Sequence, residues 1–211
     1  MKIGSGETIL FIGDSITDCS RSRPIGKDTG LGGGYVSLID SMLVSEFPEK
    51  NIRVLNLGVN GNRITDLKNR WTRDVLNLEP DWLIILIGIN DVWRQFDRPL
   101  DPNQVTSELF EKTYSKLLSD TCSSVSRFVL LSPYYIEVNT ADPMRKKMDE
   151  YGMIVAKLAK EFDAVFVDLQ GSFDHYLSYR PMESISDDQI HLTKVGHMKI
   201  ATELFRALQP D

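Results

Sequence analysis

Four short motifs, spread along the chain, hold the residues best suited to chemistry. Gly13-Asp14-Ser15-Ile16 closes an apolar run, Thr8-Ile9-Leu10-Phe11-Ile12. Gly58-Val59-Asn60-Gly61-Asn62 and Gly88-Ile89-Asn90-Asp91 each follow another such run, and Asp188-Gln189-Ile190-His191 lies near the far end. A strand that stops at a glycine and hands a serine to the turn delivers the hydroxyl to the carboxyl end of its sheet, where open α/β sheets bind ligands. A serine hydroxyl is a weak nucleophile at neutral pH. It needs a base to take its proton, a carboxylate to fix the tautomer of that base, and donors already aimed at the oxygen that becomes negative.

The chain has three imidazoles, His175, His191 and His197. Only His191 has a carboxylate spaced to reach its second ring nitrogen, Asp188, with Asp187 a competitor. The expected roles are Ser15 as nucleophile, His191 as base and then acid, and Asp188 as the orienting carboxylate. The expected oxyanion donors are the backbone N–H groups of Ser15 and Gly61 and the side-chain amide of Asn90. Gly61 lacks a Cβ and so permits close approach. His197 is expected to pack a helix, His175 to lie on the surface, and Asp14 to stabilise the turn. Cys19 is close to Ser15 in sequence but has no imidazole near it along the chain, so it is read as a buried or loop thiol.

These residues require a scaffold that carries them to one edge. The hydrophobic pattern alternates between short β-rich runs and longer helix-period segments, as in βαβ units around a parallel sheet. Strands are predicted at residues 8–12, 53–57, 82–87, 127–131 and 164–167. The third is continuously apolar, which suits a central strand covered on both faces. Met148, Tyr151, Val155, Leu158 and Phe162 are spaced as one stripe of an amphipathic helix, and Met198, Ala201, Phe205 and Leu208 as another from about residue 193. The expectation is a single α/β domain, residues 1–211, with a three-layer α/β/α architecture. Its irregular stretches are expected at 17–34, 90–103, 132–143 and 177–191. Gly30-Leu31-Gly32-Gly33-Gly34 follows no strand and is read as a loop entering a helix at Tyr35, not as a dinucleotide fingerprint.

Bulk properties narrow the partners. The chain has 211 residues, of which 42% are hydrophobic and 26% charged, with a net charge of -6. That balance is unfavourable for gripping nucleic acid or anionic lipid. No apolar run reaches the roughly 20 residues that span a bilayer, and no signal-peptide core precedes the first strand. With only two cysteines, Cys19 and Cys122, reduced thiols and a cytoplasmic location are expected.

Together the four motifs resemble the blocks of the SGNH (GDSL) hydrolase superfamily. The resemblance implies an esterase with a Ser15-His191-Asp188 triad and an oxyanion hole from Ser15, Gly61 and Asn90. It also implies a flavodoxin-like five-stranded parallel sheet in the order 2-1-3-4-5, with no metal or organic cofactor. A narrower likeness, to intracellular acetylxylan esterases, rests on several further segments. They are Lys2-Ile3-Gly4-Ser5-Gly6-Glu7, Ile16-Thr17-Asp18-Cys19, Ile89 to Gln95, Asp142-Pro143-Met144-Arg145 and Met148 to Gly152. It implies deacetylation of xylo-oligosaccharides and assembly as a homo-oligomer, with an octamer as one form. Two positions depart from the family pattern: Ser186, where an aromatic is common, and Leu192, where proline is common.

Trp93, Phe96, Tyr134 and Tyr135 are placed to surround such a site, and a sugar substrate would use Trp93 and Tyr135 for stacking and Asp18 and Arg94 for its hydroxyls. A small acyl group such as acetate is the simplest choice, because nothing suggests a long apolar channel. Rival readings are a thioesterase or lysophospholipase with the same triad, and a non-catalytic carbohydrate-binding protein.

Overall fold

The apolar run that ends at Gly13 forms β1 (Thr8–Gly13), followed by β2 (Arg53–Gly58), β3 (Trp82–Leu86), β4 (Arg127–Leu131) and β5 (Val165–Val167). The computed structural model describes residues 3–25 and 30–208. Lys2, residues 26–29 of the expected 17–34 loop and residues 209–211 lie outside the described residues. The sheet is parallel throughout in the order β2-β1-β3-β4-β5, so the expected order holds. β3 is fully buried along its length, which explains its unbroken apolar sequence: helices cover both of its faces.

Among the described residues eight α-helices connect and flank the strands: α1 (Ser15–Asp18), α2 (Tyr35–Glu46), α3 (Ile64–Asp74), α4 (Ile89–Asp97), α5 (Ser107–Thr121), α6 (Pro143–Glu161), α7 (Leu169–Leu177) and α8 (Lys194–Leu208). α2 and α7 pack with α8, while α3 and α6 pack with α5. These two groups form the outer layers of an α/β/α sandwich.

Register matters most for the site. Gly13 pairs with Gly58 on one side and with Leu86 on the other, so the chain leaves β1, β2 and β3 at one level. Ser15, Gly61 and Asn90 therefore emerge along one edge, at the switch point where the chain order reverses.

Two local expectations are corrected. Residues 90–103, read as irregular, begin with helix α4, whose Ile89 and Val92 are buried; a polar run with only one short apolar repeat hid it. On α8 the core-facing stripe is His197, Ile200, Ala201, Leu204 and Leu208, while Met198 is exposed. Both stripes satisfy three-and-four spacing, and the placement of His197 against α2 selects between them. α6 does bury Met148, Tyr151, Val155 and Leu158, as its periodicity predicts.

Candidate active site

Ser15 is the first residue of α1. The Asp14 side chain caps this helix by accepting from the Ile16 N–H at 3.0 Å, a common way of satisfying an otherwise orphaned helix donor. Gly58 lets β2 approach closely enough to support this turn: a Cβ there would lie 2.1 Å from the Asp18 nitrogen. Buried Asn56 adds a brace, donating to the carbonyls of Thr17 at 2.7 Å and Leu31 at 2.8 Å.

The structure brings the hydroxyl and the distant imidazole together. Ser15 Oγ lies 3.2 Å from His191 Nε2, and His191 Nδ1 lies 2.6 Å from Asp188 Oδ2. An ionised carboxylate only accepts, so Nδ1 carries the proton and Nε2 presents its lone pair to the serine. Asp188, not Asp187, occupies the partner position. Partial burial pushes the Asp188 carboxyl up, but hydrogen bonds from the His191 ring and from the His191 and Ile190 N–H groups outweigh it and hold the carboxyl below its usual range.

The loop bearing His191 is clamped from two sides. Tyr134, fully buried, donates from its hydroxyl to the Ile190 carbonyl at 3.0 Å, and the Ile136 N–H donates to the Gln189 carbonyl at 2.9 Å. Ser186 Oγ donates to the His191 carbonyl at 2.8 Å, and Ser186 and Leu192 form an antiparallel bridge. The two departures from the family pattern thus close the base of the histidine loop as a pair.

Gly61 and Asn90 face the same region. Gly61 has φ +76°, a left-handed conformation that side chains rarely adopt, while a Cβ there would meet nothing within 4 Å. The positive φ by itself calls for glycine at this position. Among the described residues the N–H groups of Ser15 and Gly61 have no protein acceptor. Asn90 is buried, and its Nδ2 donates one hydrogen to the Asn62 carbonyl at 3.2 Å, leaving a second available.

The expected substrate contacts divide. Trp93 stands edge-on to the His191 ring, with centroids 6.2 Å apart, and the Arg94 guanidinium lies 4.5 Å over Trp93. Both are half-buried; Trp93 adjoins the triad, and Arg94 pairs through Nη1 with Asp97. Asp18 is a correction: it is buried, accepts from the Arg21 N–H at 3.3 Å and pairs with Arg23, so its carboxylate is occupied within the protein. The Tyr135 hydroxyl donates to Gln189 Oε1 at 2.7 Å and so braces the histidine loop.

Tertiary packing also gives Cys19 an imidazole that the linear order conceals. His197 Nε2 lies 3.6 Å from Cys19 Sγ, and its Nδ1 accepts from the Tyr35 N–H at 3.3 Å. Burial pushes the imidazole down to about 4 and the thiol up. Both shifts favour the neutral partners near pH 7 and so oppose an activated thiolate pair.

Two buried carboxyls accompany the site. Burial pushes Asp14 and Asp91 up to about 7. Asp91 Oδ1 accepts from the Ile64 N–H at 2.9 Å, joining α4 to the start of α3, and Oδ2 has no partner. The folded chain holds these protons to about pH 7, whereas an unfolded aspartate releases its proton near about 3.9. Between those values the folded state binds more protons, so stability falls as pH rises through this window. Asp91→Asn keeps the acceptor and removes one titration. Its melting temperature relative to wild type is expected to rise from about pH 5 to about pH 8. A difference independent of pH would refute the origin assigned to it.

Comparison with known proteins matches residues 11–199 to the GDSL-like Lipase/Acylhydrolase family. The chain belongs to that family. It is 44% identical over 211 residues to an acetylxylan esterase of Geobacillus stearothermophilus, covering 99% of this chain and 96% of the relative. A crystal structure of an acetylxylan esterase from that organism superposes with a TM-score of 0.96 at 44% identity, covering 100% of this chain and 98% of the other. An alpha/beta hydrolase enzyme from the metagenome of Lake Arreo, Spain, gives a TM-score of 0.95 at 40% identity, covering 99% of each chain.

Proposed function

We propose that this protein is a serine esterase that removes acetyl groups from carbohydrate, with acetylated xylo-oligosaccharides as its substrates, and that residues 1–211 act as one catalytic domain. The observation that carries the reading is the hydrogen-bonded series Ser15–His191–Asp188, formed between the first strand's turn and a loop 176 residues away. High identity to an acetylxylan esterase over nearly the whole chain supports the substrate class.

In this reading His191 Nε2 takes the Ser15 proton as Oγ attacks the acetyl carbonyl. The N–H groups of Ser15 and Gly61 and the free hydrogen of Asn90 Nδ2 receive the tetrahedral oxyanion. Collapse expels the sugar oxygen, which takes the proton from His191. A water deprotonated by the same imidazole then hydrolyses the acetyl-enzyme to acetate and restores Ser15. Trp93 provides an aromatic face beside His191 for a sugar ring, and Arg94 above it, paired through Nη1 with Asp97, keeps its other N–H groups for the sugar hydroxyls.

The deciding experiment measures acetate release from acetylated xylo-oligosaccharides, glucosamine esters and sialate esters, with aryl esters from acetate to octanoate alongside. Fastest release from xylose units and rates falling with acyl length are expected. Rates rising toward octanoate would favour a thioesterase or lysophospholipase instead. Asn90→Ala is expected to lower kcat by about 100- to 1000-fold, the usual effect of losing one oxyanion donor. An unchanged kcat would remove Asn90 from the hole. No helix among the described residues is long and apolar enough to cross a membrane. A cytoplasmic homo-oligomer, with an octamer as one form, completes the proposal, and sedimentation velocity measures its size.

A further inference from the structure

Arg70 occupies a place on α3 where packing calls for hydrocarbon, in line with buried Ile64, Leu67 and Trp71. Its guanidinium is buried and uses its fork of N–H groups on separate acceptors. Nε donates to Asn62 Oδ1 at 2.8 Å, Nη1 to the Leu57 carbonyl at 2.8 Å and to Asp74 Oδ2 at 2.7 Å, and Nη2 to the Gly13 carbonyl at 3.1 Å. One planar group therefore grips the ends of β1 and β2 and the side chain that follows Gly61. Asn62 in turn accepts from Asn90 Nδ2 through its carbonyl.

We propose that Arg70, acting through Asn62, is a positioning residue that sets the geometry of the oxyanion hole. The inference rests on the acyl-transfer reading above and extends it to a residue that touches no substrate. Each of the three donors is tied to this guanidinium: Ser15 through Gly13, Gly61 through its neighbour Asn62, and Asn90 through the Asn62 carbonyl. The start of the Gly58–Asn62 loop is held separately, because Arg21 Nε donates to the Gly58 carbonyl at 2.7 Å. The distinct contribution of Arg70 is thus the far part of the loop, where Gly61 sits. An ion pair serving stability alone would require Asp74 and no bond to Asn62. Lysine cannot substitute fully, since a single ammonium does not match a planar fork that serves acceptors on both sides.

The test compares Asn62→Ala, Arg70→Lys, Arg70→Met and the double variant Arg70→Lys/Asn62→Ala on an aryl acetate. Asn62→Ala leaves the Arg70 contacts to Asp74 and the strand carbonyls in place, so it separates positioning from folding. It is expected to lower kcat by about 10- to 100-fold, the scale of a misplacement near 1 Å, with KM within about threefold and a melting temperature close to wild type. The rate at which an organophosphonate labels Ser15 is expected to fall in parallel, because that adduct uses the same hole. Arg70→Lys is expected to fall between wild type and Arg70→Met. The double variant is expected to be little worse than the more damaging single one, because both act on one bond. Wild-type kcat in Asn62→Ala, or losses that multiply in the double variant, would overturn the inference while leaving the esterase reading intact. A wild-type protein that neither releases acetate nor accepts the phosphonate would overturn the esterase reading and this inference with it.

Discussion

Ser15→Ala is expected to reduce acetate release from an activated acetate ester by about a millionfold, the scale seen when other serine hydrolases lose their nucleophile. The hydroxyl is the group that would form the acetyl-enzyme, and its removal leaves no acceptor for the acyl group. The Asn90 and Gly61 donors would remain and retain only residual stabilisation of direct attack by water. The only side-chain hydrogen bond of Ser15 among the described residues is to His191, so folding should be unaffected. Circular dichroism and thermal melting check the fold, and single-turnover kinetics check the chemistry. Substantial surviving hydrolysis, with acyl label recovered elsewhere, would transfer the nucleophile role. Cys19 is the nearest alternative in sequence, but its neutral pairing with His197 opposes that outcome.

The second large effect belongs to Asp188→Asn, with an expected loss of about 1000- to 10,000-fold in kcat, as for comparable changes in other triads. The asparagine oxygen can still accept from the backbone N–H groups of Ile190 and His191, which Asp188 Oδ1 meets at 3.0 and 2.6 Å. The loop therefore keeps its shape. The amide nitrogen, however, replaces the oxygen that faces His191 Nδ1. It donates where the carboxylate accepted, so the ring places its proton on Nε2 and can no longer take one from Ser15. Because the Asp188 side chain is 50% exposed, water can compete for Nδ1, and the lower end of the range is favoured. An activity within about tenfold of wild type would mean that Asp188 does not set the tautomer.

Unequal legibility of the chain has physical causes. The strands were readable because a buried parallel sheet demands unbroken apolar runs, and three of the four motifs were readable because each follows such a run directly; the fourth was readable from the spacing of Asp188 and His191. α4 escaped notice because its buried contribution is short. Asp18 was misread because a carboxylate next to a catalytic turn carries no mark of its burial; the adjacent arginines, Arg21 and Arg23, were the available hint. Arg70 could have been found by asking why an arginine lies on the apolar stripe Ile64, Leu67, Trp71 with an aspartate four residues on. Asn56 could have been found in the same way, as a lone amide inside an apolar strand.

Residue order alone was enough to predict the layered α/β architecture from periodicity, to show the likeness to the family through its four motifs and to single out Ser15 and His191 as candidates, because these depend on short contiguous patterns. Folding was needed to choose Asp188 over Asp187, to assign the tautomer of His191, to place His197 beside Cys19 and to gather Gly13, Leu57 and Asn62 around Arg70. Those outcomes depend on distances between residues far apart along the chain and on which charges lose their water. Register, burial and hydrogen-bond direction in the folded molecule settle them.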